Sequence, residues 1–394
     1  MLYLDRLIMQ NLTWSDHFYY SYKPVHKYIA SALCLTGILI NVCLTVVLTR
    51  PVMKSAINLI LTAIALCEMF LMLMYLTYLL HFEIVPTLFP EKYACREEIY
   101  SLSSAFLNVL YANLSVVTRG CSIWLTVLMA IYRFKMINRP IVHQDHYQRA
   151  PLMILLTLLA VVIASTPVYL MHGVSSAELQ SISNCSVTEM YYADHLPLAQ
   201  KWNGLFLRVG YWTNGIVLKL LPCFLLAIYV SRLGMYLCRY QVFRQRTVLK
   251  NQLLYTEVNT QEHQPDSETN TGYSNNNNVR IGVTQMNMRP GTLILTIILL
   301  ATLLLEAPNS ILSLLSSLMR DNEDFLKLYI NLGDILDLLA LLSALSTFPL
   351  YCIMSSVFRE NFSAIFLCRN CRGKSEHNFH SMPLMVITSK QVNL

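Results

Sequence analysis

The chain has 394 residues, 55% of them hydrophobic and 13% charged, with a mean hydropathy of +0.45. That balance excludes an ordinary soluble globular protein. The formal net charge of +6 sits mainly in the connections between apolar runs, so it is a topology signal and not a nucleic-acid signature.

Seven apolar runs cover about 27–49, 56–80, 101–135, 150–171, 206–230, 291–319 and 328–353. Each is long enough to cross a hydrocarbon layer of about 30 Å as a helix. A soluble core could hide one such run, but hardly seven. The expectation is an all-α integral membrane protein with a seven-transmembrane helix bundle over 27–355.

Residues 1–26 precede the first span as an extracellular segment. The opening "MLYLDRLIMQNLTW" lacks the continuous apolar core of a cleavable signal, so the first helix is expected to act as signal anchor. Orientation follows from Lys and Arg. With the N-terminus outside, 18 of the 29 fall in inner segments and 8 in outer ones, leaving Arg119, Arg208 and Lys219 within helices.

The second span carries Glu68 in "NLILTAIALCE". The third, "VVTRGCSIWLTVLMAIYRF", contains two arginines: Arg119 lies near mid-membrane and Arg133 at the inner boundary, about 21 Å further along the helix. Lys219 falls inside the fifth span, Glu306 inside the sixth, and Asp334 and Asp337 towards the outer end of the seventh. A charge at the bilayer centre costs roughly 2.5–3.5 kcal/mol, so these groups should face inward, pairing or lining a wet cavity. The expected pair is Arg119 with Glu68 or Glu306, and the surplus acid suits a cationic ligand. Purely structural ion pairs are the plainer alternative. Pro222 and Pro308 fall inside helices, where each removes a backbone bond and permits a kink.

Residues 251–289 are polar and of low complexity and read as a disordered third inner loop. After the seventh span, Phe358, Phe362, Ile365 and Phe366 repeat at helical spacing, as in a surface helix over 356–368 lying on membrane lipid. Cys368 and Cys371 follow as palmitoylation candidates or plain reduced cysteines, within or beside a cytoplasmic tail at 369–394. The tail ends "QVNL", whose Val392 and Leu394 fit a PDZ-protein groove, an ordinary tail being the alternative.

Of four N-x-S/T sequons, Asn11 and Asn184 fall in outer segments and are glycosylation candidates, whereas Asn113 lies in a helix and Asn361 inside. Of eleven cysteines, Cys95 and Cys185 alone lie in outer loops, either disulfide-bonded or free. The histidines are mostly in loops and tails, with no metal or nucleophile constellation. Neither an enzyme nor a cofactor is expected, and no internal repeat is visible.

Together these residues resemble the rhodopsin-type G-protein-coupled receptors. Asn41 in "GILIN", the set Asn58, Leu61, Ala65 and Glu68, the prolines Pro222 and Pro308, and Tyr351 before a surface helix all match that family's pattern. The departures are specific. The acid–Arg–Tyr triplet reads Tyr132-Arg133-Phe134, the sixth-helix tryptophan is Glu306, and the seventh-helix motif reads "TFPLY" with Pro349 displaced by one. Asn108 stands where a cysteine usually tops the third helix, and the fourth helix lacks its tryptophan. Those departures resemble FMRFamide- and myosuppressin-type neuropeptide receptors and the nematode class W serpentine receptors, through "SIWLTVLMAIYRF", "KLLPC", "LEAPN", "LTRPVMKSAIN" and "LYCIMSSVFRENF".

The resemblance implies a plasma-membrane receptor for an extracellular peptide, with a heterotrimeric G protein as partner. It places the ligand between helices 3, 5, 6 and 7, where a peptide arginine would meet Asp334, Asp337 or Glu306, near Arg119. Arg133, flanked by Tyr132 and Phe134, becomes the G-protein switch. Without a preceding acid it has no ready local partner, which implies a weak lock and appreciable basal signalling. The interior polar network would comprise Asn41, Glu68, Arg119, Lys219 and Glu306. The rivals are a chemosensory receptor for a small molecule and, more remotely, a transporter.

Overall fold

The computed structural model describes residues 14–91, 99–138, 143–178, 189–261, 291–319 and 322–366. Among them are seven helices long and apolar enough to cross a membrane. Helix α1 is Trp14–Leu48, α2 is Ala56–Leu88, α3 is Leu102–Asn138 and α4 is His143–Ala164. Helix α5 is built from Pro197–Trp212, a π-helical stretch Thr213–Leu220, and Leu221–Gln261. Helices α6 (Gly291–Leu318) and α7 (Glu323–Met354) complete the bundle, and α8 (Ser356–Phe366) follows as the short terminal helix.

Local chemistry explains where several of these begin and widen. Ser55 caps α2, its hydroxyl accepting from the Asn58 N–H at 3.1 Å. Asn322 does the same for α7, accepting from the Phe325 N–H at 3.1 Å. In α5 the Leu221 N–H reaches back five residues to the Ile216 carbonyl, and Pro222 has no N–H to offer Leu218. The widened turn sits where the proline interrupts the ordinary ladder. A second π-turn, Leu80–Ile84, precedes Pro86 in α2.

Two boundaries differ from the sequence expectation. Helix α1 begins at Trp14, well inside the segment expected to precede the bundle. The early start is anchored: Asp16 takes Lys327 at 2.7 Å and the Asn331 amide at 2.9 Å, both from α7. Helix α5 runs on to Gln261, into the stretch read as a disordered loop from 251. Residues 251–261 carry no helix-breaking proline or glycine, so the helix overruns the compositional boundary.

Between α4 and α5 lies an antiparallel hairpin, β1 (His172–Glu178) with β2 (Glu189–His195), in which His172 opposes His195. It is pinned to the approach to α3 by the Tyr191 N–H donating to the Tyr100 carbonyl at 2.9 Å.

The largest apolar cluster among the described residues lies towards α8. It draws Leu44 from α1, Leu61 from α2, Leu125 from α3, Leu226 from α5, Leu299 from α6 and Tyr351 from α7 around Phe358 of α8. Phe358 is wholly buried and sits against Phe348 and Tyr351 with ring centroids 5.9 and 5.5 Å away. Helix α1 approaches α2 closely at Gly37, where an added Cβ would lie 2.3 Å from the Met72 sulfur. Outward, α4 exposes Leu152, Leu155, Leu156, Leu159 and Ile163 along one stripe, the surface expected of a lipid-facing helix.

Candidate ligand cavity and interior charge network

A cavity of about 220 Å³ lies among α2, α3, α5, α6 and α7, in the halves of the helices nearest the hairpin. Its polar lining includes Tyr75 on α2, Tyr111 and Arg119 on α3, Lys219 on α5, Asn309 on α6 and Asp337 on α7. The wall thus draws on α3, α5, α6 and α7, the helices named for the ligand in the sequence expectation, and also on α2, which was not named. Tyr111 stacks on Tyr75 and Tyr78, with centroids 5.9 and 4.5 Å apart, giving the cavity an aromatic flank. The Tyr75 hydroxyl is held by His26 of α1 at 2.9 Å.

Beneath the cavity Arg119 meets Glu306, Nη1 to Oε1 at 3.3 Å. The two side chains are only 17% and 7% exposed, so this is an interior ion pair. It removes the cost of an isolated charge at mid-membrane depth. Of the two acids expected as partners, Glu306 takes the arginine. Glu68 instead accepts a short hydrogen bond from the Ser122 hydroxyl. Glu68, Ser122, Asn41 and Glu306 surround a smaller void of about 20 Å³ below the pair. Asn41 itself is tied to its own helix, donating to the Gly37 carbonyl at 2.9 Å.

Lys219, within the π-stretch, donates to Asn309 Oδ1 and Ser313 Oγ, each at 3.2 Å, both neutral acceptors. Among the described residues it forms no ion pair. The expected surplus of acid at the ligand site is therefore not what the wall presents. Arg119 and Lys219 face the cavity, but Asp337 alone of the four interior acids does. Glu306 lies below with the smaller void, and Asp334 lines neither. Its Oδ2 is buried and has no hydrogen-bond partner among the described residues. Spacing along one helix put Asp334 and Asp337 on a shared face but could not say which neighbour each would meet.

At the α8 end Arg133 is 5% exposed and donates a short hydrogen bond to Thr292 Oγ1 on α6. Its partner Thr292 lies across the bundle, 159 residues away in sequence. Phe134 packs edge-on against Tyr229 of α5 at 5.9 Å, with the Arg232 guanidinium 5.7 Å from its ring. Tyr132 and Tyr351 are both buried in the cluster around Phe358. Pro308 lies two residues past Glu306 in α6.

At the hairpin base, His172 Nδ1 lies 3.1 Å from Asn113 Oδ1. Burial, then the neighbouring His195, holds the His172 imidazole below its ordinary range, with the Val168 carbonyl pulling the other way. Asn361 in α8 donates to the Val357 carbonyl at 2.8 Å. Cys95, Cys185, Asn11, Asn184, Cys368, Cys371, Val392 and Leu394 lie outside the described residues.

Comparison with known proteins supplies the family. Over 376 residues, 89% of this chain and 69% of the relative, the sequence is 29% identical to the G-protein coupled receptor dmsr-1 of Caenorhabditis elegans. The family model described as serpentine type 7TM GPCR chemoreceptor Srw matches residues 28–271 and 273–369. A seven-helix bundle with a charged interior, and a match over nearly its whole length, make the chain a multi-pass membrane protein of the Srw family of serpentine G-protein-coupled receptors.

Proposed function

We propose that this receptor responds to an extracellular amidated neuropeptide of the RF-amide type and signals through a heterotrimeric G protein. Its N-terminus is outside, in line with 18 Lys and Arg on the inner side against 8 on the outer. The observation that carries the ligand reading is Asp337, which faces the cavity with no hydrogen-bond partner among the described residues. A guanidinium brought by the ligand satisfies that carboxylate with a charge-assisted, bidentate contact. The adjacent phenylalanine stacks on the flank formed by Tyr75 and Tyr111. At about 220 Å³ the cavity takes only the last residues of such a peptide, the rest resting towards the hairpin.

Activation follows from differential affinity: the ligand shifts the receptor only as far as it binds the active form better. A cation near Asp337 and Glu306 competes with Arg119 and loosens the segment of α6 that precedes Pro308. The same helix carries Thr292 at the far end, so its movement releases Arg133 towards the G protein. A panel of RF-amide peptides on cells carrying a promiscuous G protein tests the reading, and silence to the whole panel rejects it.

A second reading, a receptor for a small environmental molecule, is favoured by the cavity volume, which lies below the roughly 300–1,000 Å³ of sites for larger organic ligands. Family membership leaves the carrier reading without support.

A further inference from the structure

The base of the hairpin brings two imidazoles together in a way the receptor function does not use. His172 and His195 are directly opposed across the antiparallel strands, so their side chains share one face. Their ring centroids are 6.3 Å apart and the rings are inclined by 37°. Both are half-buried, reachable from solvent yet fixed by neighbours.

The fixing is asymmetric between the ring nitrogens. His172 Nδ1 donates to Asn113 Oδ1 at 3.1 Å, and His195 Nδ1 donates to the Met171 carbonyl at 3.3 Å. Each bond places the proton on Nδ1 and leaves the lone pair on Nε2. No Nε2 contact of His195 is seen among the described residues, while the Val168 carbonyl also lies within reach of the His172 ring. A ring whose other N–H is held by a carbonyl oxygen is the arrangement that orients and strengthens a metal-binding histidine. Tyr211 of α5 holds the His195 ring from a third direction, edge-on at 6.5 Å.

We propose that His172 and His195 bind one divalent transition-metal ion, of the Zn²⁺ or Cu²⁺ type, through their Nε2 atoms. Two metal–nitrogen bonds of about 2.0–2.1 Å, each continued to its ring centre, span roughly 6 Å when the nitrogens face each other across the ion. The observed 6.3 Å separation is therefore at the open end of the range, and a tetrahedral ion draws the rings about 1 Å closer. Imidazole nitrogen is suited to these ions and not to Ca²⁺ or Mg²⁺. Among the described residues no group of three metal-ligand side chains forms, so water completes the shell and the site is weaker than a four-ligand one. Because Asn113 belongs to α3 and Tyr211 to α5, the bound ion braces the hairpin against two of the cavity's wall helices.

Zinc chloride titrated into the purified full-length receptor in lipid nanodiscs, followed by calorimetry, tests this directly. One site is expected, weakened about tenfold or more in His172→Gln and in His195→Gln, and about tenfold in Asn113→Ala. Undiminished binding in the double variant, or no binding by the parent receptor, overturns the proposal. Should the variants fail to fold, the parent receptor answers through diethyl pyrocarbonate labelling read by mass spectrometry. Zn²⁺ is expected to shield His172 and His195 but not exposed His17, and equal labelling of all three with and without Zn²⁺ overturns it.

Discussion

Arg133 of α3 donates to Thr292 of α6, fourteen positions along each helix from the Arg119–Glu306 pair. The two helices run antiparallel, so α3 clasps α6 twice, at points about 21 Å apart. The upper clasp is an ion pair under the ligand cavity. The lower is an arginine on a neutral hydroxyl, at the end where α8 packs. A hydrogen bond to a charged group contributes about 1.5–3 kcal/mol, less than a buried arginine–carboxylate pair loses when broken. Of these two contacts between α3 and α6, the Arg133–Thr292 bond is the weaker.

Removing its acceptor should raise basal signalling. In Thr292→Ala a loss of about 1.4 kcal/mol or more shifts the resting balance roughly tenfold towards the active form. Arg133→Ala should instead fall below the parent receptor, because the arginine is also the group offered to the G protein. Second-messenger assays without ligand, corrected for surface expression, separate the two. Equal basal activity in all three proteins contradicts the role given to Arg133.

The upper clasp should show the asymmetry of buried pairs. Glu306→Gln strands the Arg119 guanidinium inside the membrane and is expected to cost about 3–5 kcal/mol. The double variant Arg119→Gln, Glu306→Gln removes both charges and should recover most of that loss. Thermal unfolding in detergent, read by thiol-reactive dye, gives the order: double variant above single. A double variant no more stable than Glu306→Gln would show that the pair is not the relevant interaction.

A side chain at Gly37 should cost stability by forcing Met72 to shift. A Cβ there would lie 2.3 Å from the Met72 sulfur, and Met72 is fully buried. Gly37→Val is expected to destabilise the bundle by about 1–3 kcal/mol, and shortening the neighbour in Gly37→Val, Met72→Ala should return part of it. The comparison is again of melting temperatures.

Helix α8 is held by aromatic packing. Phe358→Ala leaves a cavity between Phe348, Tyr351 and Phe362, with an expected cost of about 3 kcal/mol. Protection of α8 amides from hydrogen exchange should drop while that of α3 is kept. Unchanged protection would mean that α8 is anchored by other contacts.

Much of this architecture is legible in the sequence because lipid imposes it. A helix facing hydrocarbon must be apolar for about 20 residues, so the spans announce themselves by length alone. The interior pairing of Arg119 was legible for the same reason, since a guanidinium at that depth needs an acid. Which acid was not: Glu68 and Glu306 satisfy the same rule, and only the rotation of α2 and α6 about α3 decides between them. The Thr292 clasp was invisible, because a threonine in a helix carries no signal of a partner 159 residues away. The hairpin was missed because "HGVSSAE" and "EMYYADH" show no consistent alternation, and their pairing is set by cross-strand contacts. The π-stretch of α5 left a trace in Pro222, but a proline marks a break without saying which way the turn widens.

The ligand claim rests on Asp337, and a thermodynamic cycle between receptor and peptide tests it most directly. Potency is measured for an RF-amide peptide and its Arg→norleucine analogue, each on the parent receptor and on Asp337→Asn. The account predicts coupling: each single change costs about tenfold or more, and the combined change costs little beyond either alone. Losses that simply multiply would show that the peptide's arginine and Asp337 do not meet, and would contradict it.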